Sequence, residues 1–501
     1  MRLLAAISLA ALAGGCTTAP AEQSALRGDM AGPAGCTSLT AADLGAATAS
    51  AKWVAANEGL PAFCEVTAQL RPATGSQIGV VYRLPASWNG KLLGIGGGGW
   101  AGNVTLGAAS EGLRKGFATL QTDGGHESTS PWENGWATNP EAATDFAHRA
   151  VHLMTVHGKR LAHSYFGREQ DRAYFQGCST GGRMALMEAQ RYPEDYDAII
   201  AGAPVYTLQV QTSAVFRNMN FARGNGAGGF TPADLQLVQD RVLASCDASD
   251  GLVDGLVNDP RSCNFDPRAL QCTGAKTATC LAPTQVDALR AAYDGVRASD
   301  GSWSMLPMSR GGEAGWSLFV GTDGSGADAT GGGGLAGLRP VIFGARAVDF
   351  NAFTDGDYLT VRRSPFAAMY EAKEPDLSPF FERGGKLIVW HGESDPGPSP
   401  VGTNDYVRAV TQTNPEAAAQ MRYFLLPGVG HCRGGPGADV TDTLAALDQW
   451  FDTGVAPDRL IGTKADGSLT RPHCAFPTVA RYSGSGDAND PARWSCVARA
   501  S

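Results

Sequence analysis

The sequence predicts an α/β fold in which a mostly parallel sheet is split by a large inserted segment. Short apolar runs that end in glycine-rich turns recur along the chain, and helical patterns lie between several of them. This alternation of strands and helices is typical of a parallel sheet. From about Val205 to Gly384 the strand signals thin out and four cysteines cluster, which indicates the insertion. With 43% hydrophobic residues among 501, the chain has enough apolar material for a sizeable core.

The elements of the predicted sheet are short apolar runs bounded by turn residues, which is the pattern of a buried strand. In chain order the predicted strands are Lys91–Ile95, Phe117–Thr122, Ala173–Gln176, Ala198–Ala201, Lys386–Trp390 and Tyr423–Leu426. Helical patterns cover Phe146–Leu161 and Arg183–Arg191, and Pro193 ends the second.

The same patterns divide the chain into a split core and an insertion. Residues 36–204 and 385–501 carry the predicted strands of the core, whereas residues 205–384 form a lid domain that contains the flexible run Gly331–Gly334. The net charge of -9, with 40 Lys+Arg against 49 Asp+Glu and no basic run, argues against a nucleic-acid partner.

The start of the chain predicts export. Residues 1–15 have the pattern of a signal peptide, because the apolar run Leu3–Ala13 is too short to span a bilayer, and residues 16–35 form a flexible tether. The small residues that end the run fit ordinary signal peptidase, but Leu12–Cys16 also resembles a bacterial lipobox, in which Cys16 would carry a lipid anchor. We expect a protein exported from a bacterial cell, as a periplasmic protein, an outer-membrane lipoprotein or a secreted protein.

Cysteine usage fits the same compartment, since ten cysteines remain when Cys16 is set aside. No Cys-x-x-Cys occurs, so zinc ligation is disfavoured. Local spacing suggests four disulfides and leaves a fifth pair by subtraction, although sequence does not prove connectivity. The pairs are Cys36–Cys64, Cys246–Cys263, Cys272–Cys280, Cys474–Cys496 and, by subtraction, Cys178–Cys432.

The strongest chemical signal is a nucleophile elbow. Residues Gly177–Gly181 read Gly-Cys-Ser-Thr-Gly between a predicted strand and a predicted helix, which is the context that this motif requires. Ser179 is therefore the candidate nucleophile, and the alternative is a glycine-rich turn with an incidental serine.

A serine nucleophile needs a base and an acid, which follow it along the chain in this type of site. Asp395 and His431 each come just after a predicted strand, where the sites of open α/β sheets lie. His391 is a rival base and Glu393 a rival acid, whereas His126 is expected to be structural or to line the pocket.

The fifth cysteine pair bears on this assignment, because Cys178 precedes Ser179 and Cys432 follows His431. If the serine and histidine share a hydrogen bond, their chain neighbours lie close enough for a disulfide. The alternative is two buried free thiols.

The glycine run Gly96–Gly99 follows the first predicted strand and suits an oxyanion hole, together with the N–H of Thr180. A dinucleotide-binding loop is the rival interpretation, but no helix pattern opens directly after the glycines.

A second predicted site is an acidic loop at Cys246–Leu256 that suits Ca²⁺, with a solvated acidic turn as the alternative. Asp247, Asp250 and Asp254 would supply side-chain oxygens, and Leu252 and Leu256 would supply carbonyls. No organic cofactor is expected.

Taken together, the motifs at Gly177–Gly182, Trp390–Asp395 and Gly428–Cys432 resemble those of the tannase/feruloyl esterase family, and the resemblance extends from about Cys36 to Cys496. It implies an α/β-hydrolase core, a lid over the site, a disulfide between the neighbours of the serine and the histidine, and structural Ca²⁺ in the lid. The residues that the resemblance carries over are the triad Ser179, Asp395 and His431, the oxyanion donors Gly99 and Thr180, and the calcium ligands Asp247, Asp250, Leu252, Asp254 and Leu256.

The implied activity is that of a serine carboxylesterase acting on small esters of aromatic acids, of feruloyl or galloyl type. A terephthalate-monoester hydrolase of the same family is the alternative, and a non-catalytic surface binding protein is a remote one. Such a hydrolase holds a free carboxylate with a lid arginine, for which Arg339 and Arg346 are candidates here. Trp303, Trp316 and Phe319 could stack on the acyl group or pack in the core. The sequence does not indicate an oligomeric state.

Overall fold

The computed structural model describes residues 32–57, 59–326 and 334–499. The predicted signal peptide, most of the predicted tether and Cys16 lie outside these ranges, so the predictions for them are not tested. Helix α1 (Pro33–Thr37) begins inside the segment predicted as a tether. Among the described helices, none combines the length and the apolar character needed to cross a bilayer.

Nine strands of the described chain form one sheet, in the order β1-β2-β3-β5-β4-β6-β7-β10-β11. Their bounds are β1 Thr48–Val54, β2 Phe63–Leu70, β3 Ile78–Pro85, β4 Lys91–Ile95, β5 Ala118–Thr122, β6 Arg172–Cys178, β7 Ala198–Gly202, β10 Lys386–Gly392 and β11 Met421–Leu426. The shorter strands outside this sheet are β8 Val296–Arg297, β9 Trp303–Met305, β12 Val440–Thr441, β13 Arg459–Thr463, β14 Thr470–Cys474, β15 Thr478–Tyr482 and β16 Trp494–Ala498.

The parallel part of the sheet runs from β5 to β11 and consists of the six strands that the sequence predicts. Three further strands, β1 to β3, extend it as an antiparallel edge that the sequence analysis did not identify. Strand β1 is only partly buried along its length, so its sequence lacks the apolar run that marks the central strands. The predicted α/β class is confirmed, with a sheet that is mixed.

The helices connect and cover these strands. Before β7 the helices are α1, α2 Ala41–Leu44, α3 Leu106–Arg114, α4 Pro140–Thr144, α5 Ala150–Phe166 and α6 Thr180–Arg191. Between β7 and β10 they are α7 Gln209–Ala222, α8 Pro232–Cys246, α9 Pro283–Asp294, α10 Arg339–Phe343, α11 Asp355–Arg362, α12 Pro365–Tyr370 and α13 Ser378–Glu382. The last three are α14 Pro400–Thr413, α15 Ala417–Gln420 and α16 Thr443–Thr453.

Alternate residues of the parallel strands pack on opposite faces of the sheet, as the strand period of two requires. In β10, Leu387 and Val389 belong to the core that includes helices α5 and α6, whereas Ile388 belongs to the core formed with α3 and α16. The sheet is therefore a central layer with helices on both sides, which leaves the carboxyl ends of its strands to carry loops.

The segment between β7 and β10 adds no strand to the large sheet in its described parts, and it builds an apolar core of its own around helices α8 and α9. Trp316 lies in that core and is 2% exposed. This arrangement is compatible with the predicted lid, whose boundaries stay a prediction.

Five disulfides join the cysteines of the described chain, and they are the five pairs expected from the sequence. Disulfides persist in oxidising compartments, so this number of them is typical of an exported protein.

Candidate functional site

Ser179 lies at the sharp turn between β6 and α6, with φ 63° and ψ −123°. The turn is possible because its neighbours are glycines: a Cβ on Gly177 would lie 2.4 Å from the carbonyl oxygen of Gly181. The Ser179 N–H donates to the carbonyl of Gly202, and the Ser179 carbonyl accepts from Val205. The turn is thus fixed to the end of β7, and the serine side chain lines a cavity.

The loops after β10 and β11 bring Asp395 and His431 together. His431 Nδ1 lies 2.7 Å from Asp395 Oδ2, and the two loops are joined by a hydrogen bond from the Ser394 N–H to the Val429 carbonyl. Burial opposes the negative charge of Asp395, but the charge of His431 and the hydrogen bonds from His391 and His431 outweigh it and lower the pKa of this carboxyl to about 2. Asp395 is therefore ionised at any pH at which the protein is expected to work.

The two rival residues have other partners. His391 is fully buried, with Nδ1 2.8 Å from Thr403 Oγ1 and Nε2 3.2 Å from Asp395 Oδ2, so it contacts the same carboxylate oxygen as His431 does. Glu393 is engaged in an ion pair of 2.9 Å with Arg261. Of the three acid–base candidates near this strand end, Asp395 is the one bonded to a histidine that lines the cavity.

The Cys178–Cys432 disulfide links the elbow to the histidine loop, with the two Cα atoms 5.9 Å apart. Cys432 itself has φ 63°, a left-handed backbone conformation that side-chain-bearing residues seldom adopt. The covalent bond thus joins the direct chain neighbours of Ser179 and His431.

The glycine run after β4 packs on the first turn of α6. A Cβ on Gly96 would lie 2.5 Å from the Gly181 Cα, and one on Gly99, whose φ is 57°, would lie 2.5 Å from the Pro131 carbonyl oxygen. Gly99 and Thr180 both line the cavity. Because Thr180 opens α6, its N–H has no acceptor within the helix and is free for a ligand oxygen.

His126 supports this loop rather than the chemistry. Its Nε2 lies 2.8 Å from the Trp100 carbonyl, and its ring stacks on Trp136 at 4.5 Å between centroids. Burial lowers the pKa of His126, which favours the neutral ring. The histidine therefore holds the chain directly after Gly99.

The cavity beside Ser179 has a volume of about 550 Å³, which is the size of a small-molecule site. Its walls are mostly apolar. They include Val205, Val210, Ala214, Leu318 and Phe319. Phe319 also meets the His431 ring edge-on, with 4.8 Å between ring centroids.

Arg217 and Gln211 are polar residues of the cavity that were not predicted from the sequence. Arg217 is fully buried in α7 and donates to the carbonyls of Pro396 and Gly397, beside Asp395, and to that of Leu306. Gln211, six residues earlier in α7, also lines the cavity. The only signal in the sequence was the three-residue spacing of Gln211 and Ala214 and of Ala214 and Arg217, which makes each pair neighbours on a helix.

Several candidates for substrate recognition lie elsewhere. Phe319 lines the cavity, but Trp316 lies in the core of the inserted segment and Trp303 lines a different cavity. Neither Arg339 nor Arg346 lines the catalytic cavity in the described structure, and Arg346 pairs with Asp357 at 2.7 Å. Both candidate arginines therefore lie outside the lining of this cavity, and the idea that a lid arginine holds a substrate carboxylate stays a prediction.

The acidic loop that follows α8 has oxygen ligands of the kind that Ca²⁺ prefers. Asp247 and Asp250 are buried, and burial, together with the charges of Asp254 and Asp247, raises the pKa of Asp250 to about 6. Asp247 accepts from the N–H groups of Asp254 and Gly255, and Asp254 pairs with Arg471 at 2.6 Å. Within the described ranges, no three His, Cys, Asp or Glu side chains are arranged to hold a metal ion as they stand. The donor chemistry fits a hard cation, and the calcium site stays a prediction.

The chain is similar to a family model and to several known proteins. A family model described as tannase and feruloyl esterase matches residues 64–315 and 339–497. Mono(2-hydroxyethyl) terephthalate hydrolase from Piscinibacter sakaiensis is 34% identical, over 94% of this chain and 90% of that protein. A probable feruloyl esterase B-1 from Aspergillus oryzae is 30% identical, over 87% and 84%. The crystal structure of feruloyl esterase B from Aspergillus oryzae superposes with a TM-score of 0.82 at 28% identity and covers 93% of this chain and 100% of that one.

Proposed function

Because this chain belongs to the tannase and feruloyl esterase family and is a carboxylic ester hydrolase, we propose that it hydrolyses esters of aromatic acids through Ser179, His431 and Asp395. The observation that carries the proposal is the 2.7 Å contact between His431 Nδ1 and Asp395 Oδ2 beside the strained elbow of Ser179. Both Ser179 and His431 line the same apolar cavity.

In this mechanism His431 moves the protons. Its Nδ1–H donates to Asp395, so Nε2 is the nitrogen that accepts the proton of the Ser179 hydroxyl as the oxygen attacks the ester carbonyl. The same proton then goes to the leaving alcohol. Water repeats the sequence on the acyl-enzyme and releases the acid. Asp395, with its pKa of about 2, stays charged and stabilises the imidazolium.

The tetrahedral oxyanion would bind to backbone N–H groups. The N–H of Thr180 points out of the first turn of α6, and the left-handed Gly99 supplies the second donor. The close packing of Gly96 on Gly181 supports this placement, because it holds the glycine loop against the elbow.

Most of the cavity wall is apolar, which suits a neutral aromatic ring such as a feruloyl or galloyl group. Arg217 adds positive charge to the wall. Three of its N–H groups donate to backbone carbonyls, whereas its Nε has no hydrogen-bond partner. Mono(2-hydroxyethyl) terephthalate, which keeps one carboxylate after esterification, is therefore the alternative substrate.

We also propose that the acidic loop binds Ca²⁺ through Asp247, Asp250 and Asp254 and the carbonyls of Leu252 and Leu256. The ion would have a structural role, since it would neutralise three neighbouring carboxylates. Export is proposed to follow from the signal sequence at residues 1–15, and Cys16 would carry a lipid if the lipobox is processed.

A hydrolysis panel on the purified protein tests the proposed activity. It contains methyl ferulate, methyl gallate, mono(2-hydroxyethyl) terephthalate and p-nitrophenyl acetate, and each is assayed with the Ser179→Ala variant as well. We expect kcat/KM to be highest for ferulate or gallate, and Ser179→Ala to lower kcat at least about a thousandfold. The variant should unfold at the same temperature as the wild type.

Retained turnover in a folded Ser179→Ala protein would overturn the nucleophile. Turnover of p-nitrophenyl acetate alone would overturn the aromatic acyl class, and a preference for the terephthalate monoester would overturn the assignment to feruloyl or galloyl esters.

A further inference from the structure

Two exposed apolar side chains, Trp132 and Leu318, form the mouth of the catalytic cavity. Trp132, on the loop after β5, is 53% exposed, and Leu318, in the inserted segment, is 69% exposed. Both line the cavity beside Ser179. Among the described residues Trp132 is the one exposed tryptophan, since the others are buried or partly buried. Apolar groups that stay in contact with water at the edge of a cavity are typical of a surface that a ligand covers.

Phe319 connects this mouth to the catalytic base. Its ring centroid lies 6.0 Å from that of Trp132 and 4.8 Å from that of His431, and it meets both rings edge-on. Trp132 belongs to the core and Phe319 to the inserted segment, so both parts of the chain build the mouth. The three rings form a wall that runs from His431 to the solvent.

The proposed mechanism requires the two halves of the ester to lie on different sides of Ser179. The alcohol leaves while the acyl group is still bound to the serine, and it takes a proton from His431 as it leaves. The alcohol must therefore lie beside His431, on a side of the cavity that opens to solvent. The mouth meets both conditions, whereas the buried Val205 and Ala214 give the acyl group a more enclosed wall.

We propose that Trp132 and Leu318 form a binding site for the alcohol half of the ester and select substrates whose alcohol is aromatic or a long alkyl chain. An aromatic alcohol gains a ring contact with the indole of Trp132, whereas a methyl group covers little of either side chain. Because the mouth is open to solvent, no closed wall limits the size of the alcohol. The inference rests on the proposed function and names the half of the substrate that this function leaves open.

The experiment compares the methyl and benzyl esters of one aromatic acid, ferulic or gallic, whichever the wild type hydrolyses faster. Both esters give the same acyl-enzyme on Ser179, so they differ only in binding and in the departure of the alcohol. The quantity measured is kcat/KM for the benzyl ester divided by kcat/KM for the methyl ester. In Trp132→Ala we expect this ratio to fall about fivefold, the effect of losing one aromatic ring contact. Comparing the variant with the wild type cancels the intrinsic reactivity of the two esters.

Three further variants complete the design. Trp132→Phe keeps an aromatic ring and should retain most of the preference for the benzyl ester. Leu318→Ala tests the other side of the mouth and should change the ratio in the same direction as Trp132→Ala. Val455→Ala shortens an equally exposed side chain that does not line the described cavity, and it should leave the ratio unchanged. Because all these positions are exposed, the thermal unfolding midpoints should stay close to that of the wild type.

The outcomes separate this inference from the proposed function. An unchanged ratio in a folded Trp132→Ala protein, or a fall in kcat/KM that is equal for both esters, would overturn the assignment of Trp132 to the alcohol half and leave the esterase activity intact. If Trp132→Ala does not fold, an unchanged ratio in Leu318→Ala would overturn the site. A wild-type protein that hydrolyses no aromatic ester would overturn the proposed function, and the inference with it.

Discussion

At the scale of single residues, the site depends on groups held in unfavourable states by their neighbours. Ser179 has a left-handed φ of 63°, which costs of the order of 1–3 kcal/mol for a residue with a side chain. Backbone hydrogen bonds to Gly202 and from Val205 hold it there. The strain places the serine hydroxyl at the top of the sheet, where the cavity lies.

Asp395 is likewise held in an unfavourable state by its neighbours, which keep its buried carboxylate charged. Its carboxylate is buried, which disfavours ionisation, yet two histidines contact one of its oxygens and the Gly397 N–H donates to the other. His391 therefore has a role as a partner of the acid, although it is not the base that lines the cavity. Three partners fix the carboxylate and so fix the orientation of His431.

Asp123, directly after β5, is a residue for which the pH dependence of stability can be predicted. Its Oδ1 accepts from the N–H groups of Gly79 and Gly125, but burial raises its pKa from 3.8 to about 7. The folded protein thus holds this proton more tightly than the unfolded chain does. The stabilisation is complete below about pH 4 and is lost as the pH rises through 7.

We expect Asp123→Asn to flatten this pH dependence, because an amide oxygen still accepts both hydrogen bonds and carries no charge. Urea unfolding at pH 4.5 and pH 8 measures the effect, and the variant should gain stability over the wild type at pH 8. Asp240→Asn in helix α8 removes an exposed carboxylate and serves as the control. Parallel pH profiles for wild type and Asp123→Asn would contradict the prediction.

At the scale of elements, the site is built where four parallel strands end. The loops after β4, β6, β10 and β11 supply Gly99, Ser179, Asp395 and His431 respectively. Because parallel strands end at the same edge, residues far apart in the chain meet there. Helix α7 then adds Arg217, whose bonds to Pro396 and Gly397 tie the inserted segment to the loop that carries Asp395.

The Cys178–Cys432 disulfide acts between two of these loops, and we expect its removal to slow catalysis. In the double variant Cys178→Ala/Cys432→Ala, the serine and histidine loops are no longer covalently joined. A misplacement of about 1 Å can cost up to about a hundredfold in rate, so kcat on a hydrolysed ester should fall by about tenfold or more. Steady-state kinetics below the unfolding temperature checks this.

The control for that experiment is Cys272→Ala/Cys280→Ala, which removes a disulfide spanning 8 residues in the inserted segment. It should leave kcat within about twofold of the wild type. Equal kcat values for the wild type and the Cys178/Cys432 variant would show that the bond contributes to stability alone.

At the scale of the whole molecule, the acidic loop connects the inserted segment to the C-terminal part of the chain. Asp254 pairs with Arg471, Asn258 donates to the carbonyl of Ala480, and Leu252 packs on the small core around Trp494. The loop is also joined to Cys263 by the disulfide of Cys246. Ordering this loop therefore stabilises contacts between distant parts of the sequence.

If the loop binds Ca²⁺, the ion should stabilise the entire protein. A metal-free sample, verified by elemental analysis, should have a thermal unfolding midpoint several degrees lower in chelator than in millimolar Ca²⁺. A ligand at a hundred times its Kd adds about 2.7 kcal/mol to the free energy of unfolding. Mg²⁺ should be less effective, because it demands a tighter octahedral site. Asp250→Asn should lose most of the Ca²⁺ response, and a wild-type midpoint that is indifferent to Ca²⁺ would refute the site.

Much of this molecule could be predicted from the sequence because the signals are local. The parallel strands are buried on both faces, so each is an apolar run, and the elbow needs glycines at fixed positions around Ser179. Asp395 and His431 could be chosen because each follows a strand end. The expected disulfide pairs, the α/β class and the family follow from the same short patterns.

Other features were decided by the tertiary structure, because they depend on which surface each residue meets. The antiparallel edge β1–β3 is partly exposed and lacks an apolar run at its outer strand. Trp316 and Phe319 are three residues apart, yet Trp316 is buried in the inserted core, whereas Phe319 is only partly buried against that core and lines the cavity. Likewise, no helix was predicted at Gln209–Ala222, and only the packing of α7 against the strand ends decided that Gln211 and Arg217 line the cavity.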